Sequence, residues 1–334
     1  MKLLITGGAG FMGSNFIHYI LNKYSDYQVI NLDKLTYAGN LENLKDIENN
    51  SNYKFVRGDI TDKDLVNKIF KENQINAIIN YAAETHVDRS ILEPDAFIKT
   101  DVFGTHTLLE AIRQFGVDKY IQISTDEVFG SIDRGEFYEN SAFEPNSPYA
   151  ASKAGADHLC RAYYKTYGLP IIVTHSCNFF GPNQYPEKLI PLFITNLLEN
   201  KKVPVYGKGE QIREWIYTQD HCSAIDLILQ QGKNGEVYNI GTGQRKKNIE
   251  ITELLLKLLD KDESNIEYVK DRPGHDFRYA LNFEKLKKEL GWQPQYNFEE
   301  ALEKTIDWYK NNSAWWQKIK SGEYLEYYKK QYPK

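Results

Sequence analysis

Cysteine is scarce in this chain: three residues in 334, at Cys160, Cys177 and Cys222. Their number is odd and their spacing matches no metal-ligand pattern, which argues against a disulfide framework or a cysteine-held metal. Reduced, structural thiols and a cytoplasmic setting are expected. Long apolar runs are missing as well, so no segment reaches the length of a membrane span. The start passes at once into the strand-like Lys2-Leu3-Leu4-Ile5, without the small-residue cleavage site of a signal peptide. A soluble, intracellular protein is expected. Basic blocks are also absent. Lys and Arg number 41 against 46 Asp and Glu, a net charge of −5, which argues against a nucleic-acid partner. The lysine-rich stretch Lys285-Leu286-Lys287-Lys288 reads as the wet face of a helix. Neither a Ser/Gly-rich linker nor a short repeat interrupts the chain, so no flexible tether is expected.

What is present is ordinary in amount and telling in order. Hydrophobic residues make up 41% and charged residues 26%, the balance of a soluble globular protein with a substantial core. Short apolar runs predict strands over Leu3–Thr6, Val29–Leu32, Lys54–Val56, Ala77–Asn80, Tyr120–Ser124 and Ile171–Thr174. Amphipathic stretches between them predict helices over Asn15–Lys23, Thr61–Lys71, Ile98–Phe115 and Ala150–Tyr167. Strands alternating with helices specify an α/β fold with a parallel sheet wound on both faces. Past about Asn178 the pattern changes to Gly/Pro loops and shorter helices, notably Ile249–Leu259 and Phe283–Leu290. The expected organisation is a dinucleotide-binding domain over 1–177 and a smaller, mixed α/β, mainly substrate-binding region over 178–334, with the chain free to cross between them. The stretch from Trp315 to Lys334, rich in Trp, Tyr and Lys, is expected to be a helical tail without an assigned role.

Gly7-Gly8-Ala9-Gly10-Phe11-Met12-Gly13 follows the first strand and opens the first helix. Its glycines allow a tight turn, close approach of a pyrophosphate and close packing of helix on strand. The helix N-terminus then offers free amides and the positive end of its dipole to phosphates. Asp33 stands 20 residues after Gly13, at the end of the second strand, where a carboxylate holds ribose hydroxyls. A carboxylate there repels the extra phosphate of NADP, so NAD is expected, with Lys34 pointing to solvent. Asp59-Ile60, after the third strand, is a candidate adenine contact, although an Asp there also serves as a helix cap. After the fourth strand, Ala82-Ala83-Glu84 supplies small residues that let backbone lie against the cofactor.

The chemistry concentrates in Ser124-Thr125-Asp126-Glu127-Val128-Phe129-Gly130 and in the later pair Tyr149 and Lys153. Four residues apart at the start of a helix, Tyr149 and Lys153 share a face. A tyrosine ordinarily has a pKa near 10; an ammonium and a positive nicotinamide beside it would bring the phenolate within reach. Thr125 can hold the same substrate hydroxyl. That set oxidises an alcohol, whereas two adjacent carboxyls at a strand end go further. An acid and a base side by side suggest that C–H and C–O bonds are broken as well, which indicates a dehydratase borrowing a hydride.

These motifs together resemble the extended short-chain dehydrogenases/reductases and, within them, the dTDP-glucose 4,6-dehydratases. The resemblance runs through Gly7–Gly13, 32–39 (LDKLTYAG), 82–90 (AAETHVDRS), Ser124–Gly130, Tyr149/Lys153, 178–182 (NFFGP) and 271–276 (DRPGHD). Met12, Thr85 and Phe129 stand where that pattern has Ile, Ser and Tyr. The resemblance implies a Rossmann-type fold, tightly bound NAD regenerated at each turnover, a nucleotide-sugar substrate and a homodimer built on the helices Ile98–Phe115 and Ala150–Tyr167. It implies that Tyr149 takes the proton of the sugar C4 hydroxyl, that Glu127 removes the C5 proton and that protonated Asp126 releases the C6 hydroxyl. To the cofactor it adds Leu35, Thr36, Tyr81, Thr100 and Phe179. To the nucleotide sugar it assigns Thr85, Asn178, Lys188, Leu189, Arg213, Asn248, Arg272 and His275, with Pro204 and Tyr206 as candidates for the base pocket. The two arginines suit phosphate, which a guanidinium grips as a fork.

His86 lies between Glu84 and Asp88 at a spacing that suits hydrogen bonds better than a metal, and no metal is expected. A nucleotide-sugar 4-epimerase needs Tyr149, Lys153 and NAD but leaves Asp126 and Glu127 idle. The same dehydration on a UDP-sugar stays open from the residues alone. A uronic-acid decarboxylase lacks its cationic grip, and a dinucleotide-sensing regulator would not need an intact Tyr149 and Lys153.

Overall fold

In the computed structural model, residues 1–271 and 274–321 are described. Seven parallel strands form the central sheet in the order β10-β6-β5-β4-β1-β2-β3. They are β1 (Lys2–Thr6), β2 (Gln28–Asp33), β3 (Tyr53–Arg57), β4 (Ala77–Asn80), β5 (Lys119–Thr125), β6 (Ile171–Ser176) and β10 (Val237–Ile240). Leu3, Leu4, Ile5, Ile78, Ile79, Ile121 and Ile172 are fully buried, as expected of strands covered on both faces. Six of the seven strands coincide with the runs expected from the sequence. The seventh, β10, is only four residues long and comes from beyond residue 178. It pairs with β6 through Val237↔Val173 to Ile240↔Ser176 and so returns the chain to the central sheet.

Helices α1 (Phe11–Lys23), α2 (Lys63–Glu72), α3 (Val87–Leu92), α4 (Pro94–Phe97), α5 (Thr105–Phe115) and α6 (Pro148–Tyr167) accompany the first six strands. Two hydrophobic clusters lie against the sheet. One joins Phe16, Ile17 and Ile20 of α1 to Ile225 and Ile228 of a later helix, and the other joins Val66, Ile69, Leu108 and Ile112 to the strands. The stretch expected as one helix from Ile98 to Phe115 is interrupted: Ile98–Gly104 is a π-helix that runs into α5. A third cluster organises the later region, where α7 (Leu189–Leu198), α8 (Thr218–Gln231) and two small sheets occur. These sheets are β11 (Arg245–Lys247) with β9 (Ile212–Tyr217) and β7 (Asn178–Phe180), and β12 (Ile266–Val269) with β8 (Val203–Tyr206).

The three cysteines are free and buried. Ser313–Lys320 is helical, while residues 322–334 of the expected tail lie outside the described residues, as do Arg272 and Pro273. Among the described residues, no helix is long and apolar enough to cross a membrane.

Candidate active site

The carboxyl ends of β1, β2, β4 and β5 open into a cleft of about 300 Å³, where a parallel sheet places its ligands. At its floor Gly7 has φ +67°, and a Cβ there would stand 2.6 Å from the Ala82 nitrogen. A Cβ on Gly13 would stand 2.4 Å from the Gly7 carbonyl oxygen. No side chain caps α1 at Gly10, so its first amides point into the cleft as an anion site. Asp33 is held at both oxygens, Oδ2 accepting the Ala9 N–H and Oδ1 the Leu35 N–H, each at 2.8 Å. Burial pushes its carboxyl up, against the pull of those two amides. The cradle, the open helix end and the fixed carboxylate fit a dinucleotide.

All but one of the expected cofactor residues line this cleft, from Gly7, Gly10, Phe11, Met12 and Gly13 to Thr100 and Phe179. The exception is Leu35, which stands off it in a left-handed conformation with φ 58°. Its contribution is the backbone amide that fixes Asp33. Lys34 is exposed, as expected, and its ammonium pairs with Asp59 at 2.8 Å. Asp59 also accepts the Thr61 N–H, whereas the cap of α2 is Asp62. Burial pushes the Asp59 carboxyl up, but the pairing with Lys34 and the Thr61 hydrogen bonds outweigh it and draw the carboxyl down.

Thr125 ends β5, and its hydroxyl accepts the Glu127 N–H, capping the short turn Asp126–Phe129. The chain thereby turns both acidic side chains toward the cleft, which Asp126 and Glu127 line. Asp126 is 2% exposed, and its Oδ2 finds no hydrogen-bond partner among the described residues. Burial, then the charges of Glu127 and Glu214, push its carboxyl well above the usual range; Arg213 pulls the other way. That direction favours the neutral form, the one a proton donor needs.

Ser147 caps α6 by accepting the Ala150 N–H. Pro148 occupies the first turn, and Tyr149 and Lys153 follow on one buried face. The expected lowering of the Tyr149 pKa rests on Lys153 together with a positive nicotinamide; the protein groups around the phenol act the other way. Lys153 donates to the Ile123 carbonyl at 2.6 Å. Burial, with the charges of Glu127 and Asp101, raises the phenol well above its ordinary value, against the pull of the nearby Thr125 hydroxyl. Behind the pair lies Asp101 on the π-helix, accepting from Ser152 at 2.6 Å. Burial pushes its carboxyl up to about 6, and that of neighbouring Glu84 to about 7.

A second cavity, about 140 Å³, adjoins the first and shares Glu127, Asn178, Glu187, Lys188, Leu189 and Trp215 with it. Pro204, Tyr206, Arg213, Asn248 and His275 line it, along with His86 and Asp88. Thr85 lines the first cleft instead. Arg213 stacks over the Tyr279 ring at 4.2 Å and donates to the Asp276 carbonyl at 2.8 Å. Its guanidinium is thus aimed before any ligand arrives. Tyr206 meets Asp88, and His275 meets Asp271. Arg272 falls outside the described residues. Among those residues, no group of three or more His, Cys, Asp or Glu is placed to hold a metal.

Sequence patterns missed Asp101, which no motif signals, and a clasp over the cleft. Tyr37 donates to Glu187 at 2.8 Å, and Arg89 pairs with Glu187 at 3.0 Å. The guanidinium of Arg89 stacks 3.8 Å above the Tyr37 ring, and Lys188 donates to the Thr85 carbonyl. Three loops far apart in sequence are stitched there.

Fold and site together define a dinucleotide-dependent enzyme that oxidises an alcohol with a tyrosine–lysine pair and carries an additional acid–base pair of carboxyls. The chain belongs to the GDP-mannose 4,6 dehydratase family, whose model matches residues 4–305. It is similar to the dTDP-glucose 4,6-dehydratase of Xanthomonas campestris pv. campestris, 47% identical over 340 residues and 96% of each chain. The crystal structure of dTDP-glucose 4,6-dehydratase from Bacillus anthracis in complex with NAD is 50% identical, with a TM-score of 0.90 over 96% of this chain and 99% of that one. The enzyme of the same name from Streptomyces venezuelae, crystallised with NAD, is 49% identical with a TM-score of 0.93, over 96% of this chain and all of the other.

Proposed function

We propose that this chain converts dTDP-glucose to dTDP-4-keto-6-deoxyglucose, with NAD bound at the glycine cradle and regenerated in each cycle. The observation that carries this reading is the buried Asp126 carboxyl, pushed up by its surroundings, beside Glu127 and on the same cleft as Thr125, Tyr149 and Lys153. When bound, NAD supplies a hydride acceptor that later acts as donor. Tyr149 accepts the proton of the C4 hydroxyl, which Thr125 orients, while Lys153 and the π-helix behind it fix the phenol. A ketone at C4 acidifies the C5 proton, and Glu127 removes it. Asp126 gives its proton to the C6 hydroxyl, which leaves as water. Positioning and general acid–base transfer of this kind contribute on the order of 10²–10⁴-fold each.

Arg213, Asn248, His275, Lys188 and Leu189 form the nucleotide end, with Tyr206 and Pro204 at the base. Near-half identity to dTDP-glucose enzymes over almost the full chain supports that nucleotide over GDP. A 4-epimerase would have no use for a buried acid at Asp126 beside Glu127. Buried free thiols favour a cytoplasmic setting. Exposed Ile98 and Phe103 on the π-helix, near Ile91 and Leu92, favour a homodimer.

The test is to incubate the purified protein separately with dTDP-glucose, UDP-glucose and GDP-mannose and follow substrate mass without added reductant. Loss of one water from dTDP-glucose is expected. Conversion of glucose to galactose at constant mass would overturn the dehydration, and water lost only from another substrate would overturn the nucleotide assignment.

A further inference from the structure

Asp276 makes hydrogen bonds in two directions. Its backbone carbonyl accepts from the Arg213 guanidinium at 2.8 Å, and a second Arg213 nitrogen donates to the Phe277 carbonyl at 3.4 Å. Its carboxyl accepts the Tyr279 hydroxyl on Oδ2 at 2.6 Å. Tyr279 in turn carries Arg213 over its ring, 4.2 Å from the centroid, and lines the second cavity together with Glu127. On its other oxygen, Oδ1, Asp276 accepts the side-chain amide of Asn146 at 2.7 Å. Asn146 stands three residues before Tyr149, and the two residues between have little freedom: Ser147 caps α6 and Pro148 occupies its first turn. The Glu144 N–H, just upstream, donates to the Val128 carbonyl at 3.0 Å, on the turn that carries Asp126 and Glu127.

We infer that Asp276 is a positioning residue that ties Arg213, at the nucleotide end, to the phenol of Tyr149. The inference rests on the reading above, in which Arg213 holds the diphosphate and Tyr149 takes the C4 proton. One nucleotide sugar must reach both groups at once, so the spacing between them decides whether the C4 hydroxyl arrives at the phenol. Asp276 itself lines neither cavity, and it acts only through its partners. A carboxylate accepts on both oxygens and carries no donor to misdirect, which lets one side chain serve the Tyr279 hydroxyl and the Asn146 amide together. On the Tyr279 side it fixes the ring on which the guanidinium lies flat. On the Asn146 side it fixes the direction in which the chain enters α6, and Tyr149 sits on the first turn of that helix. With the bond to Asn146 cut, the first turn is free to shift against Thr125 at the end of β5, and a misplacement of about 1 Å costs on the order of 100-fold in rate.

The experiment measures, in the NAD-loaded enzyme, kcat for dTDP-glucose, the Kd of dTDP by calorimetry and the effect of deuterium at C4 of the sugar. Asp276→Ala cuts both side-chain bonds and is expected to lower kcat by roughly 10–100-fold. The Kd of dTDP is expected to stay near that of the wild type, because the backbone carbonyl still holds Arg213. Deuterium at C4 is expected to slow this variant, since the step that uses Tyr149 then limits turnover. Asn146→Ala, on an exposed stretch of loop, cuts one bond alone and is expected to lower kcat in the same way. The double variant should fall no further than Asp276→Ala. Asp276→Asn can still accept from Asn146 and can donate to Tyr279, so it is expected to recover most of the wild-type kcat. Unchanged kcat in Asn146→Ala, losses that multiply in the double variant, or an Asp276→Asn enzyme as slow as Asp276→Ala each overturn the positioning role. So does weaker dTDP binding at unchanged kcat, or an Asp276→Ala turnover indifferent to the deuterium. A wild type that releases no water from dTDP-glucose overturns the dehydration itself, and the inference with it.

Discussion

Asp126 and Glu127 are adjacent in sequence but differ in surroundings, and that difference separates acid from base. Asp126 is buried among Glu127, Glu214 and the Thr125 hydroxyl, while Glu127 stands where the two cavities meet. Asp126→Asn and Glu127→Gln preserve shape and remove only proton exchange. Both variants are expected to retain NAD and to lose dehydration by roughly 10²–10⁴-fold. Turnover at the native rate in either one refutes its assigned role. Asp101 supports a different prediction, because its folded pKa of about 6 lies above the usual 3.8. Between those values the folded protein holds a proton that the unfolded chain has released, so this group's contribution to stability is lost as pH rises from about 4 to about 7. Asp101→Asn abolishes that slope. Relative to wild type, the variant should gain on the order of 2 kcal/mol between pH 4 and pH 7, read from urea melts of cofactor-free protein. Parallel pH curves for the two proteins would show that Asp101 does not titrate there.

At the scale of elements, the junction of β1 with α1 has the least room for change. The Gly7 carbonyl lies where a Cβ on Gly13 would go, at 2.4 Å, and the next obstacle, the Gly8 Cα at 2.7 Å, is also backbone. Gly13→Ala must displace the turn that receives the pyrophosphate. Protein purified from this variant is expected to lack NAD and to melt lower, by about 1–3 kcal/mol of overpacking. Co-purification at one NAD per chain would show that the turn has slack. This element was legible in the sequence because glycine spacing and a following carboxylate at Asp33 have a local cause. The strands were legible for the same reason, since runs such as Leu3-Leu4-Ile5 are apolar throughout and lead into a glycine turn. The π-helix was not legible. Ile98 to Phe115 has helical periodicity throughout, and the contact made at the widened turn, Asp101 accepting from Ser152 of α6, joins residues 51 apart. Nor was the clasp of Tyr37, Arg89 and Glu187, whose partners lie 98 and 150 residues apart. The second cavity was traced through resemblance alone, because its residues come from loops that carry no periodic signal.

Among the described residues, four large apolar side chains lie exposed within one short stretch of the chain. Ile91 and Leu92 on α3, and Ile98 and Phe103 on the π-helix, are each about half exposed, although neighbouring Phe97 is buried. Side chains of that size left in water on consecutive elements are what a second copy of the chain would cover. The π-helix also carries Thr100 on the cofactor cleft and Asp101 behind Lys153, so a partner packed on its outer face would stiffen the element that backs the catalytic pair. Phe103→Glu places a charge in the middle of that face without touching the cleft. Sedimentation at micromolar concentration is expected to give twice the subunit mass for the native protein and one subunit for the variant. The separated subunits should also lose NAD faster on dilution, because the wall behind Lys153 is no longer clamped from outside. A native protein that sediments as one subunit rules out the dimer. A variant monomer that keeps NAD as long as the native dimer would leave the interface in place but sever its link to the active site.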